Sequence, residues 1–330
     1  MRIVPFKSIW LTFSSILVVA SIVVYGMYGL KLSADFTEGT LLALKFDVDA
    51  VEEVIGEDAE TEAILETSDE AEGAERESVS QEELRDAFRA YEAPEGQEAL
   101  NSVDIKRSPD GTFVMKMRRL SEEESASVLG YLNDVVGEYE LLQSRDVSPQ
   151  FAKTFRDRAA LALLTASLMI ILYITFAFRR VSRGIKSWKL GVAAIIALIH
   201  DLAIIVGIFV LLGQFMQVEI DALFITALLS VMGFSVNDTI VVFDRVRENL
   251  LIKHHAESFE EVAERSLQQT LARSINTSFS TLLVLVSLLV FGAYEIFYFV
   301  LALALGVVVG TYSSIFLATP LLTVMQKKNK

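Results

Sequence analysis

Six stretches of this chain run without charge, or nearly so, for long enough to cross a lipid bilayer as helices, a crossing that takes about 20 apolar residues. Ser8 to Leu30 lies between Lys7 and Lys31, and Ala159 to Phe178 between Arg158 and Arg179. Leu190 to Leu212 is apolar except for His200 and Asp201 near its middle, and Ala222 to Phe243 except for Asp238. Ser274 to Tyr294 lies between Arg273 and Glu295, and Ile296 to Gln326 carries no charge, with Pro320 expected to kink or end its last turns. The pattern predicts a first span within residues 1–30 and five more over about 156–178, 190–212, 221–243, 274–294 and 297–323. The first apolar core exceeds the roughly 7–15 residues of a signal-peptide core, and no A-x-A site follows it, so it reads as a span.

Lys31 to Gln150 has a different texture. Gly39 to Phe46 is a β-prone run. Ser80 with Glu83 three residues on forms a capping-box pattern, and Leu84, Phe88 and Tyr91 share the face of the helix it opens. Leu100 to Arg107 and Thr112 to Arg119 flank Pro109-Asp110-Gly111 as a hairpin. Ser121 with Glu124 caps a second helix reaching about Val136, and Glu138 to Arg145 forms a last strand. The order β-α-β-β-α-β is the ferredoxin-like pattern. Val51 to Val79 is an acidic, small-residue insertion that reads as a solvated excursion. The fold class is therefore a polytopic α-helical membrane protein of six transmembrane helices with one α+β ferredoxin-like domain outside the bilayer.

Charge gives the orientation. The chain is 52% hydrophobic yet carries a net charge of -14, and residues 31–150 hold 31 acidic and 11 basic side chains. The remainder is net basic, and its lysines and arginines are unevenly placed. Arg179, Arg180, Arg183, Lys186 and Lys189 follow the second span; Arg245, Arg247, Lys253, Arg265 and Arg273 lie between the fourth and fifth; Lys327, Lys328 and Lys330 end the chain. Gly213 to Asp221 and Gly292 to Glu295 hold no lysine or arginine. Basic loops face the cytoplasm, so both termini are expected there and the acidic domain outside. Ser258 with Glu261 makes a further capping box, and Phe259, Val262, Ala263, Leu267 and Leu271 line one face after it. This predicts an amphipathic helix over about 258–271, lying on the cytoplasmic surface.

The chain has no cysteine and three histidines, which excludes disulfides and thiolate chemistry and disfavours a metal centre. It carries no P-loop, G-x-S-x-G, H-E-x-x-H or Rossmann glycine pattern, so no enzyme activity, cofactor or metal is expected. The acidity reads as a solvated face and lacks the loop spacing of a calcium site.

The informative residues are charges inside apolar spans. A carboxylate at the centre of a membrane helix costs about 2.5–3.5 kcal/mol on insertion scales. At about 1.5 Å per residue, Asp238 is roughly 8 Å from the cytoplasmic edge and the His200-Asp201 pair roughly 16 Å, while Arg273 begins the fifth span at that edge. Asp238 and Arg273 are close enough in depth to pair across adjacent helices. Two readings stand: a proton path in which an arginine approaches and leaves Asp238, with Asp201 a deeper station and His200 a relay member beside it, or a static ion pair and helix-to-helix hydrogen bonds, His200 among them, that fix packing. In the sixth span Ala302, Gly306, Gly310 and Ser314 recur every four residues, a stripe suited to close helix contact within the bundle.

The run Val236-Asn237-Asp238-Thr239-Ile240-Val241-Val242-Phe243-Asp244-Arg245-Val246-Arg247-Glu248-Asn249 resembles the signature of the SecF family of protein-export membrane subunits. Ala197 to Asp201 resembles that family's third span, Gln269 to Ser274 its entry to the fifth, and Asp35-Phe36-Thr37-Glu38-Gly39-Thr40 its D-F-T-G-G-T motif after the first. The resemblance runs over the whole chain. It departs at Glu38, where the family carries glycine, and in the length of the acidic insertion.

The resemblance implies an RND-type half bundle in the cell inner membrane, paired with SecD and associated with the SecYEG channel, YajC, a YidC-type insertase and the exported preprotein. It implies use of the proton or sodium motive force to complete translocation, with Asp238 and Arg273 in the ion path. It implies no nucleic-acid partner. Two other readings remain: a non-conducting scaffold for SecD and the channel, and half of an RND-type small-molecule efflux transporter.

Overall fold

A computed structural model describes residues 2–46, 79–91, 93, 99–100, 103–108, 111–179, 185–252, 257–293 and 296–327. The acidic stretch 51–78 and the Pro109-Asp110 turn lie outside the described residues. The chain divides into two compact units, Met1–Ser33 with Arg156–Lys330, and Ala34–Phe155.

In the second of these, β1 (Gly39–Phe46), α2 (Gln81–Ala90), β2 (Asp104–Arg107), β3 (Phe113–Met117), α3 (Glu122–Val135) and β4 (Tyr139–Val147) follow in the expected order. The sheet runs β2-β3-β1-β4 with every neighbour antiparallel, the ferredoxin-like arrangement. The capping box of α2 forms, with Glu83 N–H donating to Ser80 Oγ at 3.1 Å. Ser121 caps α3 in the same way, but the Glu124 side chain turns to Arg118 instead of back to its cap. Leu42 pairs with Met115 and Leu44 with Phe113 on the covered face of the sheet, against Leu84, Phe88, Val128 and Leu132 of the two helices. Tyr139 donates to Leu129 O at 2.8 Å, and burial pushes its hydroxyl above the ordinary tyrosine range.

The other unit holds α1 (Lys7–Tyr28), α4 (Pro149–Ala177) from Arg156 onward, α5 (Ser187–Met216), α6 (Ala222–Leu251), α7 (Phe259–Phe291), α8 (Phe297–Ser313) and α9 (Thr319–Lys327). Among the described residues, six helical spans are long and apolar enough to cross a membrane, α8 and α9 together forming the last. Half or more of the apolar window is buried in α5, α6 and the last span, and little of it in α1 and α4.

Three expectations are corrected here. The spans outrun their charge-free windows: α6 continues past Phe243 to Leu251, and α7 starts at Phe259. Residues 258–271 are not a separate surface helix but the first turns of α7, which has no glycine or proline to break it. Ala263 and Leu267 are buried against Ile3, Val4, Val242 and Ile315, so that face packs on protein and not on a bilayer surface. Of the two expectations for Pro320, that it kinks or that it ends the last turns, the second is overturned, since the helix continues to Lys327. The π turn Ser314–Ala318 widens the helix just ahead of it, which relieves the clash and the missing N–H donor that proline brings.

The small-residue stripe makes its contact within the chain. A Cβ built on Gly306 would sit 2.1 Å from Val231 Cγ2, and one on Gly310 3.0 Å from Ser235 Cβ, so α8 packs on α6 at near backbone distance. At the chain's start, the Glu264 carboxylate of α7 accepts the N–H groups of Ile3 and Val4, the latter at 2.7 Å. Lys7 adds an ion pair to Glu260 at 2.5 Å.

Candidate functional site

The charges inside the spans meet at the seam where α8 passes into its π turn. Ser313 and Ser314 are adjacent there, about 100° apart around the axis, so their hydroxyls face different helices. Ser313 Oγ donates to Asp201 Oδ2 of α5 at 2.7 Å. Ser314 Oγ donates to Asp238 Oδ2 of α6.

Asp201 is fully buried and has three partners. Besides Ser313 it accepts from Ser235 Oγ of α6 at 2.5 Å, and His200 Nδ1 lies 2.9 Å from its other oxygen. His200 stacks on Tyr312 with ring centroids 6.0 Å apart, and the Tyr312 hydroxyl is 3.0 Å from Ser14 Oγ of α1. Four helices thus supply the surroundings of one carboxylate.

Asp238 is 8% exposed and takes its second hydrogen bond from Ser274 Oγ of α7, at 2.6 Å. Arg273, one residue earlier, is exposed and makes no ion pair with Asp238. Of the two readings left open, the static Asp238–Arg273 pair is not formed here: the adjacent position on α7 faces the carboxylate, and Ser274 holds it. Among the described residues no lysine or arginine pairs with either buried aspartate, and no group of three metal-ligating side chains forms.

The hydroxyls suit a group that gains and loses a proton. Ser313 Oγ also lies 3.1 Å from Gly310 O, and Ser314 Oγ 3.0 Å from Thr311 O. With the aspartate ionised, the serine hydrogen points to the carboxylate. With it protonated, the acid donates to the serine oxygen and the serine hydrogen turns to its own helix. Both charge states keep their hydrogen bonds, which removes the penalty of about 1–3 kcal/mol for an unsatisfied buried group.

The other residues of the fourth-span motif do not touch either buried aspartate in the contacts seen here. Thr239 is buried and Asn237 exposed. Asp244 pairs with Arg247 at 3.1 Å, and Arg245 with Glu248 at 2.5 Å. Arg245 Nε also donates to Gln269 Oε1 at 2.7 Å, and Asn249 Nδ2 donates to Ser266 and Gln269, both at 2.8 Å, which ties the end of α6 to α7. The motif after the first span anchors the sheet. Asp35 pairs with Arg145, Phe36 packs on Phe155, and Thr40 Oγ1 donates to Asp146 and accepts Leu120 N–H. Thr37 lies between them at a bend. Gly39 has φ +143, and a Cβ there would meet Met117 O at 2.4 Å. Glu38 is exposed and has no positive φ, so the glycine requirement rests on Gly39 alone.

The partners that sequence reading missed are Ser235, Ser274 and Ser313; Ser314 was read only as a packing residue. A signal was present in Ser235, three residues before Asp238 on the same face of α6, and in a serine pair inside an apolar run.

Residues 128–328 match the family model described as protein export membrane protein SecD/SecF, C-terminal. The chain is 38% identical over 330 residues to a protein translocase subunit SecF of Thermobaculum terrenum, covering 99% of this chain and 94% of that one. It is 31% identical over 322 residues to the SecF of Anaerolinea thermophila, covering 97% and 92%. It is 33% identical over 253 residues to a protein translocase subunit SecDF of Thermus thermophilus, covering 77% of this chain and 32% of that one. The crystal structure of SecDF from Thermus, described as a translocon-associated membrane protein, superimposes with TM-score 0.76 at 29% identity, over 99% of this chain and 39% of that chain.

Proposed function

Because this chain belongs to the SecD/SecF family of protein-export membrane proteins, we propose that its helical bundle uses an ion gradient to drive late steps of protein export. The chain is a SecF-type subunit of the protein translocase and a multi-pass membrane protein. Its partner is a SecD chain, which the SecDF relatives carry fused in one polypeptide. The two work beside the SecYEG channel, with YajC and a YidC-type insertase, on the emerging preprotein. The subunit is not an enzyme. The distribution of lysine and arginine among the loops supports cytoplasmic termini and an extracytoplasmic domain between the first two spans.

The observation that supports ion coupling is Asp238, a buried carboxylate held by two serine hydroxyls with no cationic side chain paired to it among the described residues. Such a group is costly as packing alone and suited to binding a proton or sodium ion. Arg273 enters as a conditional partner. It is one residue, about 100° of helix rotation, from the serine that touches Asp238. Turning α7 exchanges Ser274 for Arg273 at the carboxylate and expels the bound ion. A proton descending the membrane potential releases about 2.3 kcal/mol per 100 mV, enough to bias a two-state motion.

The test is export from proteoliposomes holding the chain with SecD and the channel, with pH and sodium gradients varied separately. Wild type responds to one of the gradients. Asp238→Asn assembles in the same yield and loses that response. If neither gradient affects wild type, ion coupling fails. If Asp238→Asn lowers complex yield but not export per complex, the subunit is a scaffold.

A further inference from the structure

His200 is 3% exposed, and its Nε2 has no hydrogen-bond partner among the described residues although it is enclosed. Leaving a buried polar nitrogen unsatisfied is costly and calls for a reason. The other nitrogen supplies one. Asp201 Oδ2 is already taken by the hydroxyls of Ser235 and Ser313. With Asp201 ionised, its Oδ1, 2.9 Å from His200 Nδ1, can only accept, so Nδ1 carries the hydrogen. That fixes the neutral tautomer with its lone pair on Nε2, the arrangement by which a carboxylate readies an imidazole to take a proton.

We propose that His200 and Asp201 form a second proton-binding site, loaded at His200 Nε2 and distinct from Asp238. A proton delivered through water joins the Nε2 lone pair, and the Asp201 carboxylate balances the imidazolium. On release the proton returns to water and the neutral tautomer is restored. No other bond forms or breaks. The site's part in export rests on the ion-coupled reading above; its proton binding does not.

The groups facing the imidazole are few. Asp201 is its neighbour on α5, and α8 contributes the ring of Tyr312. From α1 the nearby polar group is Ser14, bonded to Tyr312; the titratable side chains of α1 sit at its ends, with Lys7 held by Glu260. From α6 it is Ser235, while Asp238 is held by Ser274 and Ser314. The π turn has no titratable residue, and that of α9 is Lys327, at its end. The two aspartates thus contact different helices yet share the Ser313-Ser314 dipeptide, which gives each site a direct route to the other.

The chain has three histidines, so ring-nitrogen NMR of the isotope-labelled full chain, reconstituted with unlabelled SecD in lipid nanodiscs in a His254→Gln/His255→Gln background, reads His200 alone. As the pH is lowered across the range in which the complex stays folded, Nε2 is expected to pass from lone pair to N–H while Nδ1 stays protonated. Asp201→Asn is expected to abolish that titration in the same window, and Asp238→Asn to leave it in place. An Nε2 that keeps one state throughout overturns the proposal. So does a titration lost in Asp238→Asn and retained in Asp201→Asn. Because the readout does not involve export, failure here leaves coupling through Asp238 standing, and failure of the export test leaves this titration standing.

Discussion

Ser313 and Ser314, neighbours in the chain, bind two different carboxylates: Ser313 donates to Asp201 and Ser314 to Asp238. Each hydroxyl also has a carbonyl of its own helix in reach. The dipeptide sits at the start of a π turn, so backbone geometry and side-chain polarity change together at the point where two buried acids meet. Shortening or restoring a regular α turn there would move both hydroxyls at once.

Removing either hydroxyl tests this arrangement. Ser314→Ala is expected to withdraw one of two donors from Asp238, a hydrogen bond to a charged group worth about 1.5–3 kcal/mol. Gradient-dependent export per assembled complex should fall, with complex yield near that of wild type. Ser314→Thr, which keeps the hydroxyl, should retain more activity. Equal loss in both variants would assign the effect to packing.

Arg273 separates a mobile partner from a fixed one. It is exposed and does not pair with Asp238, so Arg273→Met should change the thermal stability of the assembled protein by less than about 0.5 kcal/mol. Breaking a buried ion pair would cost about 3–5 kcal/mol. Export should nonetheless lose its response to the gradient. Thermal unfolding of the purified complex, run beside the export assay, reads both quantities.

Gly306 has no room for a side chain. Gly306→Ala places a methyl within 2.1 Å of Val231 Cγ2 and should destabilise the bundle by about 1–3 kcal/mol. Val231→Ala in the same chain should recover much of that loss. Thermal denaturation of the two variants and the double variant measures the coupling.

The start of the chain hangs on one carboxylate. Glu264→Ala frees the N–H groups of Ile3 and Val4 and should cost about 1 kcal/mol, as loss of a helix cap does. Hydrogen exchange should rise at residues 3–4 and little elsewhere. Protection that persists at those amides would mean that the packing of Ile3 and Val4 suffices without the cap.

In the smaller unit, Glu38→Gly should be close to neutral, since Glu38 is exposed and adopts no left-handed conformation. Gly39→Ala should destabilise the full chain by more than 1 kcal/mol, about the least expected of a strained backbone, because the added methyl would meet Met117 O at 2.4 Å. Thermal denaturation of the two variants ranks them. The reverse order would move the glycine requirement to position 38.

The elements of this protein could be read from its sequence because the signals are local. Apolar length marks six spans, and alternation and capping residues mark the β-α-β-β-α-β unit, down to Ser80 on Glu83. His200, Asp201 and Asp238 stand out because charge is rare in such spans. Tertiary structure decided what these residues touch. A helix apolar around its whole circumference carries no moment to say which side faces inward, so sequence alone cannot set its rotation. About 100° of that rotation separates Ser274 from Arg273 at Asp238, and the same angle lets Ser313 and Ser314 reach different acids. The phase of each helix is set by close approach to its neighbours, as at Gly306 and Val231. Those contacts join residues far apart in the chain, and they exist only once the bundle has packed.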